Sequence, residues 1–133
     1  MERLVSQFSD RTLPLSEWTH EAHLTVALWY LYQYTEAAAV CYLRSGIITY
    51  NQSLGGENTP QRGYHETLTL FWVKIIHHFI RKNPGLDLPA LRQALLASPI
   101  ASRDLPEQYY SKELLYSTHA RAFWTEPDIK ALP

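Results

Sequence analysis

Apolar positions recur at helical spacing along most of the chain, and no stretch shows the strict alternation of a half-buried strand. Between residues 16 and 33, Leu24, Ala27, Leu28 and Leu31 share one side of a helix, and Ser16 offers a side-chain oxygen as its N-cap. A second helix is predicted over 36–52, capped by Thr35 and stopped by Gly55-Gly56. The third, over 64–82, carries the broadest stripe (Leu68, Phe71, Trp72, Ile75, Ile76, Phe79) and ends before Asn83-Pro84-Gly85. Between the second and third, Leu54 to Gly63 reads as a loop of about ten residues, a length at which loops are often functional. Pro89 opens a short fourth helix that ends by Ser98-Pro99. In the tail, Ser111 is expected to cap Lys112–Tyr116 and Ser117 to cap Thr118–Phe123. The pattern predicts an all-α protein: one domain over 1–133, an antiparallel helical bundle of three to four main helices plus short C-terminal helices.

Composition narrows the function classes. Twelve basic against 13 acidic residues leave a net charge of −1, which removes the electrostatic case for nucleic acid or a membrane surface as a partner. The longest apolar run, Leu24 to Tyr32, is too short to span a bilayer. The opening Met1-Glu2-Arg3-Leu4 lacks the layout of a signal peptide, so a cytoplasmic location is expected. The single cysteine, Cys41, has no internal partner, and its run Ala38-Ala39-Val40-Cys41 suggests an inert buried thiol.

The six histidines carry the sharpest chemical signal. His20 and His23 are three residues apart, which puts them on one helix face, where two imidazoles can share a metal ion. The spacing differs from the H-E-x-x-H of a metalloprotease, and taken alone the pair is more simply read as two helix residues bonded to nearby carbonyls or water. His65 heads the stripe Leu68/Thr69, Trp72, Ile76 at the start of the third helix. The first and third helices of an up-down bundle run in the same direction, so their starts lie at the same end. His20, His23 and His65 would then give the three-nitrogen set of a catalytic divalent transition metal, with zinc, iron, nickel and copper all suited to imidazole. Glu66 beside them could act as general base or orient a ligand histidine; alone, it is also an ordinary first-turn carboxylate.

His77 and His78 fall at the far end of the third helix and read as structural. Hydroxyls and a guanidinium crowd the tail between Tyr110, Ser111 and Arg121, a set that could position an anionic or polar substrate. The competing reading of Arg121 is an ion pair with Glu66, Glu126 or Asp128. His119 could swing toward the site, but nothing fixes its direction. The tyrosine and tryptophan clusters read as core and interface.

The segments His20-x-x-His23-Leu24, Gly63-Tyr64-His65-Glu66-Thr67-Leu68-Thr69, and Tyr110-Ser111 through Ala120-Arg121 to Glu126-Pro127-Asp128 resemble a family of small, uncharacterised bacterial helical proteins. The resemblance spans roughly residues 18 to 133. It implies positions rather than an activity, and His119 is not among them. A looser, architectural likeness is to the DinB-like metal-dependent bundles, which also gather three histidines from separate helices; order and spacing here do not follow them residue by residue. Together these features point to a metal-dependent enzyme acting on a small molecule. The alternatives are a metal-free module that binds a small ligand with the same polar residues, and an interaction protein with aromatic anchors. A homodimer is the expected assembly.

Overall fold

The computed structural model describes residues 1–133 and is entirely helical, with no strand beyond one isolated bridge between Thr59 and Arg62. Eight α-helices follow in order: α1 Glu2–Asp10, α2 His20–Gln33, α3 Glu36–Ser53, α4 Glu66–Lys82, α5 Leu88–Ala97, α6 Pro106–Tyr109, α7 Lys112–Leu115 and α8 Thr118–Ala122. Short 3-10 turns at Leu15–Glu17 and Pro99–Ala101 join them. No helix is long and apolar enough to cross a membrane.

Most helix limits follow from local chemistry. Thr35, Ser111 and Ser117 cap α3, α7 and α8 as expected, each accepting a backbone N–H three residues on. Two starts differ from expectation. Ser16 lies in the 3-10 turn after Pro14, and Thr19 is the cap of α2, accepting the N–H of Ala22. The third long helix starts two residues later than predicted because His65 itself is the cap of α4: its Nδ1 accepts the N–H of Leu68 at 3.0 Å. Histidine is outside the usual set of cap residues, so the sequence carried no boundary signal there.

Helix α2 is buried on most of its surface and packs against α4, α3, α5 and α1. The main core combines Leu24, Val26 and Leu28 of α2 with Leu43 and Tyr50 of α3 and Ile76 of α4. A second, smaller core lies on another side of α4, where Phe71 and Ile75 meet Leu105, Tyr110 and Leu115 of the tail. Helix α1 was not anticipated: its apolar face is a single short cluster, Leu4, Val5 and Phe8, in nine residues that are otherwise polar. Phe8 stacks on Trp18 at a centroid distance of 4.7 Å and lies against Gly46 of α3. Tyr50 holds the following link by donating its buried hydroxyl to Leu13 O at 2.8 Å. Cys41 corrects an expectation: it is exposed. The buried neighbour is Ala39, and two residues at 100° each turn Cys41 to the opposite side of the helix.

Gly46 tests this packing. A Cβ there would sit 2.6 Å from Cε2 of Phe8, a buried ring stacked on Trp18. Helix propensity alone would make Gly46→Ala stabilising by about 1 kcal/mol, whereas overpacking a tight site costs about 1–3 kcal/mol. Net destabilisation is expected in urea unfolding. Adding Phe8→Leu should recover part of the loss, a coupling that two independent sites would not show.

Candidate ligand-binding site

One cleft of 530 Å³ opens between the N-terminal halves of α2 and α4 and the stretch of α3 from its middle to near its C-terminal end, within the size range of small-molecule sites. That α3 contributes Leu43, Ile47 and Asn51 there means its later half lies beside the starts of its two neighbours, as antiparallel connection through the tight turn at Tyr34-Thr35 requires. The apolar wall is Leu24 and Ala27 of α2, Leu43 and Ile47 of α3, and Leu68 and Trp72 of α4. Polar atoms come from His20, His23, Asn51, Tyr64, Thr69 and Arg103. The three histidines singled out from sequence, His20, His23 and His65, therefore all line one cleft.

Their ring nitrogens are not equally free. His20 Nε2 lies 2.8 Å from Ala101 O and His23 Nδ1 lies 2.6 Å from Thr19 O. Because a carbonyl can only accept, both nitrogens carry the proton, leaving His20 Nδ1 and His23 Nε2 without a protein partner. His65 differs. Its Nε2 donates to Leu115 O at 2.6 Å while its Nδ1 accepts from Leu68, so both nitrogens are engaged by backbone. No group of three or more His, Cys, Asp or Glu side chains is placed to hold a metal ion. Two imidazole nitrogens, not three, are left unpartnered in the trio.

Aromatic rings fix the two open imidazoles. His23 stacks on Trp18 at 3.8 Å between centroids, and His20 meets Trp72 edge-on at 5.3 Å. Solvent still reaches His23, yet crowding against these walls strips hydration from its charged form and lowers its pKa, with His20 and Arg103 adding positive charge nearby. The Thr19 carbonyl acts in the opposite direction but does not win. His65, only 7% exposed, is also pushed down, by burial first and by the Arg121 charge after it.

The remaining predicted site residues are engaged elsewhere. Glu66 lies outside the cleft wall, clamped by Arg44 through Nε at 3.0 Å and a terminal nitrogen at 2.6 Å, and it also accepts the Tyr64 hydroxyl. Burial alone would raise its pKa, but these partners outweigh it and hold the carboxylate ionised, which makes it a weak proton acceptor. Arg121 donates to Gly63 O at 3.0 Å and pairs with none of the three acids weighed for it. Tyr110 is fully buried and donates to Thr125 O, while Ser111 caps α7 and donates its hydroxyl to Asp128. His119 is exposed beside Phe123. Sequence reasoning missed Arg103 and Arg44. Neither stands in a local motif, and each acquires meaning only through contacts distant in sequence.

No protein-family model matches the chain, and neither do any curated protein or solved structure.

The His65 bridge yields a pH prediction. With the folded-state pKa lowered, the unfolded chain protonates first on acidification. Stability is then fully present above about pH 6.5, the unfolded value, and is lost as pH falls through the lower folded value. His65→Ala removes the cap and leaves a buried carbonyl unpaired, a cost of about 2–3 kcal/mol. His65→Asn keeps a capping oxygen and should cost less. Melting temperatures measured from pH 8 to 5 should fall less steeply below pH 6.5 in both variants than in the wild type; equal slopes would remove His65 as the titrating group.

Proposed function

We propose that the protein binds a small molecule with a flat apolar body in the cleft between α2, α3 and α4. The observation that carries this reading is a pair of imidazole nitrogens, His20 Nδ1 and His23 Nε2, left without protein partners in a cleft walled by Trp18, Trp72 and aliphatic side chains. Few convergent polar groups on an apolar wall are the usual makeup of a small-ligand site. Each ring is held from behind by a carbonyl, so little side-chain freedom is lost when a ligand engages the other nitrogen. His65 serves as wall and scaffold rather than as a ligand contact.

Tryptophan emission tests the reading directly, since Trp18 and Trp72 border the cleft. Titration with 1-naphthylmethanol, a neutral probe with one hydroxyl, should give a saturable change. His23→Ala should weaken binding about threefold to tenfold, the worth of one neutral hydrogen bond. Ile47→Phe should weaken it further by filling the cleft, and Tyr42→Ala, remote from the wall, should leave it unchanged. Absence of any saturable response in the wild type would sink the proposal.

The same two open nitrogens support a second reading, a divalent transition metal held by His20 and His23 with solvent completing the shell. Two neutral ligands hold such an ion more weakly than the three or four protein ligands of most zinc sites. Calorimetric titration with zinc should then show weak uptake lost in His23→Ala and kept in His65→Asn. A flat wild-type titration removes this reading alone.

A further inference from the structure

Resting on the ligand-binding reading of the cleft, we infer that its ligand is an anion, a carboxylate attached to an apolar or aromatic body, and that Arg103 selects it. The cleft wall contains no aspartate or glutamate, and Arg103 is its only permanently charged residue. Arg103 forms no ion pair and no side-chain hydrogen bond within the protein, whereas two other arginines at this end of the bundle are engaged: Arg44 is bound bidentately by Glu66, and Arg121 donates to the Gly63 carbonyl. Glu66, the acid next to His65, is thus already paired, and no acid of the chain pairs with the guanidinium at the cleft, which is left for an outside partner.

The position of Arg103 is also set. It follows the 3-10 turn Pro99–Ala101, and the last carbonyl of that turn is held by His20 Nε2. The histidine that bears an open nitrogen in the cleft therefore fastens the backbone two residues before the guanidinium. The positive ends of α2 and α4, helices of 14 and 17 residues, border the same opening and add to a field favouring negative charge. A guanidinium takes a carboxylate through two parallel hydrogen bonds, while the apolar body lies against Trp72 and the aliphatic wall. The open imidazole nitrogens, which only accept, take a hydroxyl or N–H borne by that body and not the carboxylate itself.

The test compares three probes of one shape by tryptophan emission: 1-naphthoate, 1-naphthylmethanol and 1-naphthylmethylamine, each with the full chain at low and high salt. Naphthoate is expected to bind about tenfold more tightly than the alcohol at low salt, and the amine more weakly than either. Arg103→Gln should abolish the preference for naphthoate while the alcohol binds as before, and Arg103→Lys should keep part of it. Raising salt should narrow the gap, since the guanidinium is exposed. If the alcohol binds and naphthoate shows no advantage, or keeps its advantage in Arg103→Gln, the anion inference is overturned and the cleft reading stands. If no probe binds, both fall together.

Discussion

A carbonyl oxygen only accepts and a peptide N–H only donates, and His65 faces one of each. Its Nε2 donates to Leu115 O and its Nδ1 accepts the Leu68 N–H, an arrangement that only the neutral imidazole can sustain. One ring thereby ends α4 at its N-terminus and fastens the C-terminal tail to the bundle, across 50 residues of sequence. The neighbouring bonds depend on the same docking. Thr67 donates to Phe123 O, Thr125 N–H returns to Thr67, and Arg121 reaches the carbonyl of Gly63 just before the helix. Protonating His65 removes the acceptor and places a charge in a nearly closed site beside Arg121; burial and that charge favour the neutral ring and outweigh the Leu115 carbonyl, which favours the charged one.

That commitment shapes the cleft. All three histidines along its wall give one N–H to a backbone carbonyl, at Ala101, Thr19 and Leu115, and so hold a defined tautomer. They differ in the other nitrogen. His65 uses it on its own helix, whereas His20 and His23 leave theirs without a protein partner. The division follows from the caps: α2 already has Thr19 to accept an early N–H, so its histidines are released from that duty, and α4 has no hydroxyl or carboxylate at the corresponding position. The same economy of partners governs charge, with Glu66 closed off by Arg44 and Tyr64 and only Arg103 open.

Local chemistry made much of the fold legible. Hydroxyl caps, Gly and Pro punctuation, and the broad stripe of α4 located α3, α7 and α8 closely and α2 and α4 to within a few residues. Helix α1 was overlooked although Leu4, Val5 and Phe8 fall at helical spacing, because nine residues give that pattern little length; its docking of Phe8 on Trp18 and Gly46 has no local signature. The histidines were legible for a sound reason: residues three apart share a face, and two parallel helices begin at one end of a bundle. What spacing could not reveal is which nitrogen each ring had left. The tail misdirected the reading in a related way. Tyr110, Ser111 and Arg121 looked like a substrate site because polar groups were dense there, yet a segment with three helices of five residues or fewer leaves many backbone groups without helical partners, and those side chains satisfy them.

The cleft and the tail therefore meet in α4. Its first turn forms part of the cleft through His65, Leu68 and Thr69, and the same turn receives the tail through His65 and Thr67. Fixing that turn from behind gives the wall a set geometry before any guest arrives, which lowers the ordering cost of binding. On the opposite wall α2 is fixed by different means, by packing over most of its surface and by the His20 bond to the turn that precedes Arg103. A guest between these walls meets groups whose orientations are already decided by backbone partners. In the proposed binding mode, selectivity rests on the few atoms those partners leave open: two imidazole nitrogens that accept and one guanidinium that donates.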